Sequence, residues 1–262
     1  MSQTALGLDI GTSRIVAARR SGAGDEVRYE SQLNAFVEIP YSKITAATLV
    51  REQVPHTAGP EEIMVLGNES EKFAGLLNAE IRRPMTRGVL DPKEPDSLKV
   101  IREILARMLG PEKSAADEKN AGGKSQRVCF TVPAAPLGAE ETLTYHEATL
   151  RQILTDLGYR PASINEGLAV VYSELESSNY TGIGISCGGG LCNVCLAYLS
   201  VPVASFSIPK AGDYIDSSAA QVTGERANRI RLAKEDSFHF NGFFGEKIQQ
   251  VIGVYYDDVI QS

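Results

Sequence analysis

Two short glycine-containing segments carry the residues best suited to chemistry in this sequence. One is Asp9-Ile-Gly-Thr-Ser13 and the other is Ser186-Cys-Gly-Gly-Gly190, and each stands between two apolar runs. The pattern predicts two β-hairpins whose turns expose backbone N–H groups, because glycine lets the chain approach an anion closely. Two such turns predict a site that holds a polyphosphate.

The first turn carries side chains that fit this chemistry. The N–H groups of Gly11, Thr12 and Ser13, and the two hydroxyls, can donate to phosphate oxygens, while Asp9 can hold magnesium through water. A plain hairpin turn is the alternative. We favour phosphate, because a plain turn does not require hydroxyls and a carboxylate as well.

Hydrophobic periodicity predicts the elements that position these turns. The strands cover Thr4–Arg19, Val27–Ile39, Ile63–Leu66, Val128–Val132 and Ser163–Ile164. The helices cover Glu69–Leu77, Asp96–Leu109, Tyr145–Gly158, Leu168–Leu175, Glu225–Arg231 and Phe244–Ile260. Residues 111–126 read as a polar surface loop. The alternation predicts an α/β protein with helices packed on mixed sheets.

The helix at 96–109 has the clearest pattern. Asp96 is in position to cap its N-terminus. An apolar face is expected from four residues, which are Leu98, Ile101, Leu105 and Met108.

Composition excludes several classes of protein. The 262 residues carry a net charge of −7, which argues against nonspecific binding to nucleic acid or to an anionic membrane. No apolar stretch reaches the roughly 20 residues of a membrane span, and the N-terminus lacks a secretion signal. Residues 111–126 contain no Leu, Phe or Trp to insert into a bilayer. A cytoplasmic protein without direct membrane insertion is expected, and a membrane partner could still recruit it.

The cysteines stand at positions 129, 187, 192 and 195. The spacing of the last three permits a zinc site, but no fourth ligand lies nearby and strand alternation would point the side chains in different directions. Disulfides are unnecessary for a chain of this length in a reducing compartment. Buried thiols are therefore expected.

Five motifs, in order, resemble the superfamily of actin, sugar kinases and heat-shock chaperone ATPases, and most closely the bacterial actin MreB. They are Gly7–Ser13, Val65–Ser70, Arg83–Asp91, Ile164–Ala169 and Ala211–Asp216. The resemblance implies an actin-like, ribonuclease H-like fold of duplicated domains, with mixed β-sheets flanked by helices. It implies a first lobe at 1–160, with a small subdomain inserted at about 30–80, and an incomplete second lobe at 161–262.

The second turn departs from the pattern that the resemblance implies. Ser186 stands where an aspartate is expected, and Leu191 stands where a threonine is expected. Gly188, Gly189 and Gly190 still offer N–H groups to phosphate. A neutral hydroxyl lacks the charge that a carboxylate presents to a hydrated divalent ion, so slow hydrolysis is expected.

The family's catalytic acid enters the helix after the central strand. Glu140, Glu141 and Glu147 lie in the matching region, and Glu147 fits best. The alternative for Glu147 is a solvated glutamate in a first helical turn, which the helix dipole favours. Glu166, in the connecting motif, is better placed by its context for an active-site role, and a surface charge is the alternative.

Nucleoside contacts are implied after the second hairpin. Gly212 and Asp213 resemble the family's turn near the sugar and phosphates. Asn228 and Arg231 match the positions whose side chains meet the nucleoside. An ordinary exposed helix face is the alternative for both.

The function implied is a bacterial actin-like cytoskeletal protein that binds ATP and Mg²⁺ between two lobes and polymerises into filaments. A non-polymerising adaptor or pseudo-ATPase with the same fold is the alternative, and a small-molecule kinase fits less well. No third glycine-rich motif follows Gly190. The chain is therefore expected to be a fragment that lacks part of the nucleotide pocket.

Overall fold

The computed structural model describes residues 5–20, 26–110, 126–136, 140–240 and 247–262, with backbone alone at 140–142. These residues form two compact units. The first contains residues 1–132 and 141–164, and the second contains residues 133–140 and 165–262. The assignment of 1–160 and 161–262 to two lobes stays a prediction.

The strands and helices follow the sequence pattern closely. The strands of the described residues are β1 (Leu6–Ile10), β2 (Arg14–Arg20), β3 (Val27–Leu33), β4 (Phe36–Pro40), β5 (His56–Ala58), β6 (Glu62–Leu66), β7 (Met85–Thr86), β8 (Val89–Leu90), β9 (Arg127–Val132), β10 (Arg160–Asn165), β11 (Gly182–Cys187), β12 (Cys192–Tyr198) and β13 (Val201–Ile208). The helices are α1 (Lys43–Arg51), α2 (Asn68–Leu77), α3 (Ser97–Leu109), α4 (Glu140–Asp156), α5 (Glu166–Glu174), α6 (Gly212–Thr223), α7 (Ala227–Ser237) and α8 (Lys247–Gln261).

A mixed five-stranded sheet forms the centre of the first unit. Its strand order is β10-β9-β1-β2-β3, with β1 antiparallel to β2 and parallel to β9. Apolar side chains from β1, β9, α3 and α4 make one buried core beneath this sheet. Its most enclosed members include Ile10, Ile15, Ile101, Leu105, Phe130, Leu150 and Leu154. The core holds the β1–β2 turn at one end of the sheet.

The buried face of α3 differs from the predicted face at one residue. Ile101, Leu105 and Met108 are buried as expected, but Leu98 is 44% exposed. Val100 and Ile104 complete the stripe instead, because the buried face is centred on the series 97, 100, 101, 104, 105 and 108, and Leu98 stands at the edge of that face. Asp96 holds the N-cap position without a capping hydrogen bond from its side chain.

Two smaller sheets complete the first unit. Strands β4, β6 and β5 form an antiparallel sheet that packs with α1 and α2. Strands β7 and β8 form a short hairpin, with Arg87 and Gly88 at its turn. Helix α4 begins at Glu140, earlier than the predicted Tyr145, and the loop expected at 111–126 lies outside the described residues except for Gln126.

The second unit contains the three-stranded antiparallel sheet β11-β12-β13. Helix α5 packs closely against it, because Gly167 and Gly184 have no side chains. A Cβ at Gly167 would lie 2.8 Å from the Cys195 Cβ, and a Cβ at Gly184 would collide with the Gly167 carbonyl oxygen. Helices α6, α7 and α8 form a separate core around Ile215, Ala219, Ile230 and Ile252.

The structure bears on two further predictions from the sequence. Residues 211–216, expected as a turn, form the N-terminus of α6 instead. Among the described residues, no helix is both long enough and apolar enough to cross a bilayer.

Candidate functional site: two matching hairpin turns

The first turn consists of the four residues 11–14, which lie between the last pair of β1 and β2 and include the first residue of β2. Ile10 and Ile15 are the last paired residues, and the Gly11 N–H donates to the Arg14 carbonyl oxygen at 2.9 Å. The Gly11 N–H is therefore used by the hairpin, contrary to the expectation that it binds phosphate. Within the described ranges, the N–H groups of Thr12 and Ser13 have no hydrogen-bond acceptor. An anion could accept hydrogen bonds from these two N–H groups.

The Thr12 hydroxyl has a structural partner. Its side chain is buried, and its Oγ1 accepts a hydrogen bond from the Gly88 N–H at 2.8 Å. This bond ties the turn to the β7–β8 hairpin. The hydroxyl proton of Thr12 is not used in this bond and can still donate to a phosphate oxygen.

Asn34 supports the first turn from below, and the sequence analysis missed it. Its side chain is completely buried, its Nδ2 donates to the Gly11 carbonyl oxygen at 2.9 Å, and its N–H donates to the Ser13 carbonyl oxygen at 2.9 Å. The two contacts occupy the carbonyl oxygens of Gly11 and Ser13, which would otherwise repel an anion at the turn. The Asn34 Oδ1 is buried without a hydrogen-bond partner among the described residues, an open acceptor beside the turn.

Asp9 presents a carboxylate beside this turn. Its Oδ1 accepts a hydrogen bond from the Thr131 Oγ1 at 2.7 Å, and its side chain is exposed to solvent. Partial desolvation by the surrounding protein raises the pKa of Asp9. The hydrogen bond from Thr131 lowers it and so partly opposes this effect. An oriented, solvent-accessible carboxylate fits a hydrated magnesium ion. No cluster of three or more His, Cys, Asp or Glu side chains that could hold a metal ion occurs in the described part of the chain.

The second turn repeats the geometry of the first. Cys187 and Cys192 are the last paired residues of β11 and β12, so the turn again has four residues. The Gly188 N–H donates to the Leu191 carbonyl oxygen at 3.0 Å. The N–H groups of Gly189 and Gly190 have no acceptor within the described ranges. The two units therefore present the same pair of donors at matching turn positions.

The N-terminus of α6 holds the second turn in place. The Gly212 N–H donates to the Gly188 carbonyl oxygen at 3.0 Å, and the Asp213 N–H donates to the Gly189 carbonyl oxygen at 2.7 Å. A side chain at position 212 would crowd this junction, since its Cβ would lie 3.2 Å from the Gly188 oxygen. Gly212 and Asp213, predicted as phosphate and sugar contacts, thus support the turn through their backbone.

Lys234, which the sequence analysis did not single out, supports the same junction from α7. Its Nζ donates to the Gly212 carbonyl oxygen at 2.9 Å and lies 2.8 Å from the Asp216 carboxylate. Both side chains are more than nine-tenths buried. The ion pair therefore fixes the N-terminal turn of α6, on which the glycine turn rests.

Glu166 places a carboxylate next to Ser186. Its Oε2 accepts a hydrogen bond from the Asn193 Nδ2 at 2.7 Å, and the Ser186 hydroxyl lies at 3.4 Å. Asn193 is buried, pairs in register with Ser186, and accepts the Ala134 N–H at 2.7 Å. Glu166 thus places a carboxylate beside Ser186 from a position 20 residues earlier in the chain, at the start of α5.

Glu147 has a different environment from the one expected of a catalytic acid. Its Oε1 accepts hydrogen bonds from Arg151 and Ser163, each at 2.7 Å. Both hydrogen bonds lower the pKa of Glu147. The bond from Ser163 has the larger effect, and the bond from Arg151 follows. Its partners belong to α4 and β10, and none belongs to the first turn. The side chains of Glu140 and Glu141 lie outside the described residues.

The neighbouring His146 was not considered from the sequence. Its ring is completely buried, and its Nδ1 accepts the Leu90 N–H at 3.2 Å. Burial lowers the pKa of His146 to about 4, so the ring is neutral at pH 7.

We expect Glu147→Gln to lower the free energy of unfolding by about 0.5–1 kcal/mol at pH 7, because it weakens a half-exposed ion pair. The folded-state pKa lies below the ordinary value of 4.5. The stability difference is therefore present above about pH 4.5 and disappears as the pH falls through the folded-state pKa. Urea titrations at several pH values measure it, with the exposed Glu61→Gln as the control. A large loss of nucleotide hydrolysis without this pH-dependent change would return Glu147 to the catalytic role.

Asn228 and Arg231 lie on one face of α7, as their spacing predicts. The Arg231 Nη2 donates to the Asn228 Oδ1 at 3.0 Å, and its Nη1 donates to Glu235 at 3.0 Å. The Arg231 side chain is only 5% exposed, so it is not an ordinary surface residue. Its nucleoside role stays a prediction.

The expectation of buried thiols is wrong for three of the four cysteines. Cys195 is a buried thiol, whereas Cys129 is exposed and free. Cys187 and Cys192 form a disulfide. Strand alternation does not separate these two, because residues directly opposite each other in an antiparallel pair point to the same face.

Solved structures with the same architecture define the fold. The chain is similar to a MamK double helical filament, with 19% identity, a TM-score of 0.66, and coverage of 99% of this chain and 77% of that chain. It is similar to MreB5 of Spiroplasma citri bound to ADP, with 14% identity, a TM-score of 0.66 and the same coverages. The ethanolamine utilization protein EutJ from Carboxydothermus hydrogenoformans matches at 13% identity and a TM-score of 0.53, over 100% of this chain and 73% of that chain. The protein has the actin-like ATPase fold that its motifs predicted.

The family follows from the sequence itself. The model of the Volactin family matches residues 4–262, so the chain belongs to the Volactin family. No curated protein matches the sequence.

Proposed function

We propose that this protein binds ATP with Mg²⁺ and assembles into filaments of actin-like subunits. The observation that carries the proposal is the repeated turn. Among the described residues, the N–H groups of Thr12 and Ser13 in one unit, and those of Gly189 and Gly190 in the other, have no acceptor. Adjacent unpaired N–H groups at a hairpin tip bind phosphate oxygens well. Each turn, taken by itself, is therefore suited to phosphate.

The carboxylates near the turns fit the magnesium ion that accompanies a nucleoside triphosphate. Asp9 is held by Thr131, and Glu166 is held by Asn193. Magnesium keeps several waters and binds few protein carboxylates, so one oriented carboxylate beside a phosphate-binding turn suffices. When bound, the ion would neutralise phosphate charge. Asp9 beside the first turn, or Glu166 beside the second, would orient its water ligands.

Hydrolysis is proposed to be slow. Glu147 is engaged by Arg151 and Ser163 in the first unit, and its lowered pKa disfavours proton abstraction. His146 is neutral but buried. If neither Glu147 nor His146 acts as the base, orientation of the attacking water depends on other groups.

Assembly into filaments is supported by the fold. Among the similar structures, one is titled a double helical filament of MamK, and MreB5 structures are titled as bound to ADP and to AMPPNP. Head-to-tail contacts between identical subunits generate open filaments when the rotation between neighbours does not close a ring. A cytoplasmic location belongs to the same proposal.

A non-polymerising adaptor of the same fold is the second candidate. The engaged carboxylate of Glu147 favours it, because a scaffold has no need of hydrolysis. The two candidates differ in their response to nucleotide.

Sedimentation and binding separate them. We expect the protein to bind a fluorescent ATP analogue in the presence of Mg²⁺, and to pellet with ATP more than with ADP. Binding without nucleotide-dependent pelleting would favour the adaptor. Absence of any nucleotide binding would overturn the main proposal.

A further inference from the structure

The second turn carries a cross-link that the first turn lacks. Cys187 and Cys192 are joined by a disulfide across the last pair of β11 and β12, with their Cα atoms 4.1 Å apart. The matching positions of the first turn are Ile10 and Ile15, which cannot be joined. The disulfide therefore constrains one of the two matching turns.

The constrained segment has a very flexible sequence. Three consecutive glycines, Gly188–Gly190, span most of it, and glycine has more backbone freedom to lose than any other residue. One hydrogen bond, from the Gly188 N–H to the Leu191 carbonyl oxygen, closes the turn internally. The disulfide closes it a second time, immediately outside that hydrogen bond.

The cross-link also bears on the two unpaired donors. With both ends of the turn fixed, the N–H groups of Gly189 and Gly190 are held in place before a ligand arrives. Binding then requires less loss of backbone freedom, which raises affinity. Without the cross-link, the turn keeps its internal hydrogen bond and the two hydrogen bonds from α6, but more of its backbone freedom must be lost when the ligand binds.

We propose that Cys187 and Cys192 form a reversible disulfide that raises the affinity of the second turn for the phosphates of a nucleotide. The inference rests on the proposed function, because it assigns a control to the same site. In a reducing compartment, disulfides of this kind are transient and redox-sensing.

The reaction is thiol–disulfide exchange with a low-molecular-weight disulfide. The exposed Cys187, as its thiolate, attacks one sulfur of the small disulfide, forms a mixed disulfide and releases one small thiolate. The Cys192 thiolate then attacks the Cys187 sulfur and releases the second small thiolate. Two protein thiols lose two protons and two electrons, and the small disulfide is reduced to two thiols. Excess small thiol reverses both steps.

The test uses the whole chain in buffers of defined glutathione ratio. Thiols are trapped by acid and alkylated under denaturing conditions, and the number of alkyl groups is read from intact mass. The affinity for a fluorescent ATP analogue with Mg²⁺ is measured on the same samples. The variants are Cys187→Ser and Cys192→Ser, with Cys129→Ser as the matched control because that cysteine is free and exposed.

We expect oxidised wild-type protein and Cys129→Ser each to lose two alkylatable thiols and to bind the analogue about fivefold more tightly than in reduced form. Cys187→Ser and Cys192→Ser should bind equally in both buffers, at the reduced wild-type affinity. Retention of all four thiols in wild type at every glutathione ratio would overturn the inference.

Two binding outcomes distinguish this inference from the proposed function. Equal binding by oxidised and reduced wild type overturns the proposed redox regulation, while the proposed function stands. Absence of analogue binding in both forms overturns the proposed function, and the proposed redox regulation with it.

Discussion

Glu166→Gln is expected to weaken binding of Mg·ATP about tenfold, which corresponds to about 1.4 kcal/mol. Glutamine keeps the shape of the side chain and can still accept the hydrogen bond from Asn193, so the change removes charge rather than structure. A carboxylate next to Ser186 contributes through its attraction for the hydrated ion. Titration of a fluorescent ATP analogue in Mg²⁺ measures the effect.

Three comparisons separate this role from a general loss of structure. In EDTA the variant should bind ATP at least as well as wild type, because a carboxylate repels phosphate when no cation lies between them. Adding Ser186→Asp to the variant should restore most of the lost affinity, since it returns a carboxylate to the neighbouring position. Glu174→Gln, at the exposed end of the same helix, should have no effect. Equal weakening with and without Mg²⁺ would contradict the role assigned to Glu166.

Much of the candidate site follows from local sequence rules. The hairpin turns were predictable because glycines between two alternating apolar runs leave few other conformations. The spacing of Asn228 and Arg231 placed them on one helix face for the same kind of reason. These features depend on neighbours within a few residues, where spacing carries the information.

The parts that could not be predicted join residues distant in sequence. Glu166 reaches Ser186 because Gly167 and Gly184 let α5 approach the sheet closely, and no spacing rule encodes that approach. Asn34 lies between two strands with no motif around it, yet it donates hydrogen bonds to two carbonyl oxygens of the first turn, those of Gly11 and Ser13. A substitution such as Ser186 is therefore a poor guide to lost chemistry when a neighbouring element can supply the missing group.

The disulfide shows a different limit. The sequence shows the spacing of Cys187 and Cys192, but strand alternation alone predicts that their side chains point in different directions. Once the turn is known to have four residues, the two cysteines become directly opposite partners that share a face. The turn length decides the pairing, and one residue more or fewer would place them on opposite faces.

Lys234→Met is expected to lower the free energy of unfolding of the second unit by about 3–5 kcal/mol, the usual effect of removing one partner from a buried ion pair. The change removes the cation that faces Asp216, at 2.8 Å, and the donor to the Gly212 carbonyl oxygen. Because Gly212 and Asp213 hold the second glycine turn, nucleotide affinity should fall along with stability. Urea unfolding followed by circular dichroism measures the first effect, and analogue titration at low temperature measures the second.

The double variant Lys234→Met with Asp216→Asn tests the electrostatic origin of this loss. Neutralising Asp216 removes the buried charge that Lys234 compensates, so the double variant should recover a substantial part of the stability lost by the single one. Its nucleotide affinity should recover less, because the hydrogen bond to Gly212 is still missing and the N-terminus of α6 remains less firmly held. Lys247→Met, at the start of α8, is the control for loss of a lysine in the same unit. If the double variant were less stable than Lys234→Met alone, packing rather than charge would explain the effect, and the ion pair would not be what fixes the turn.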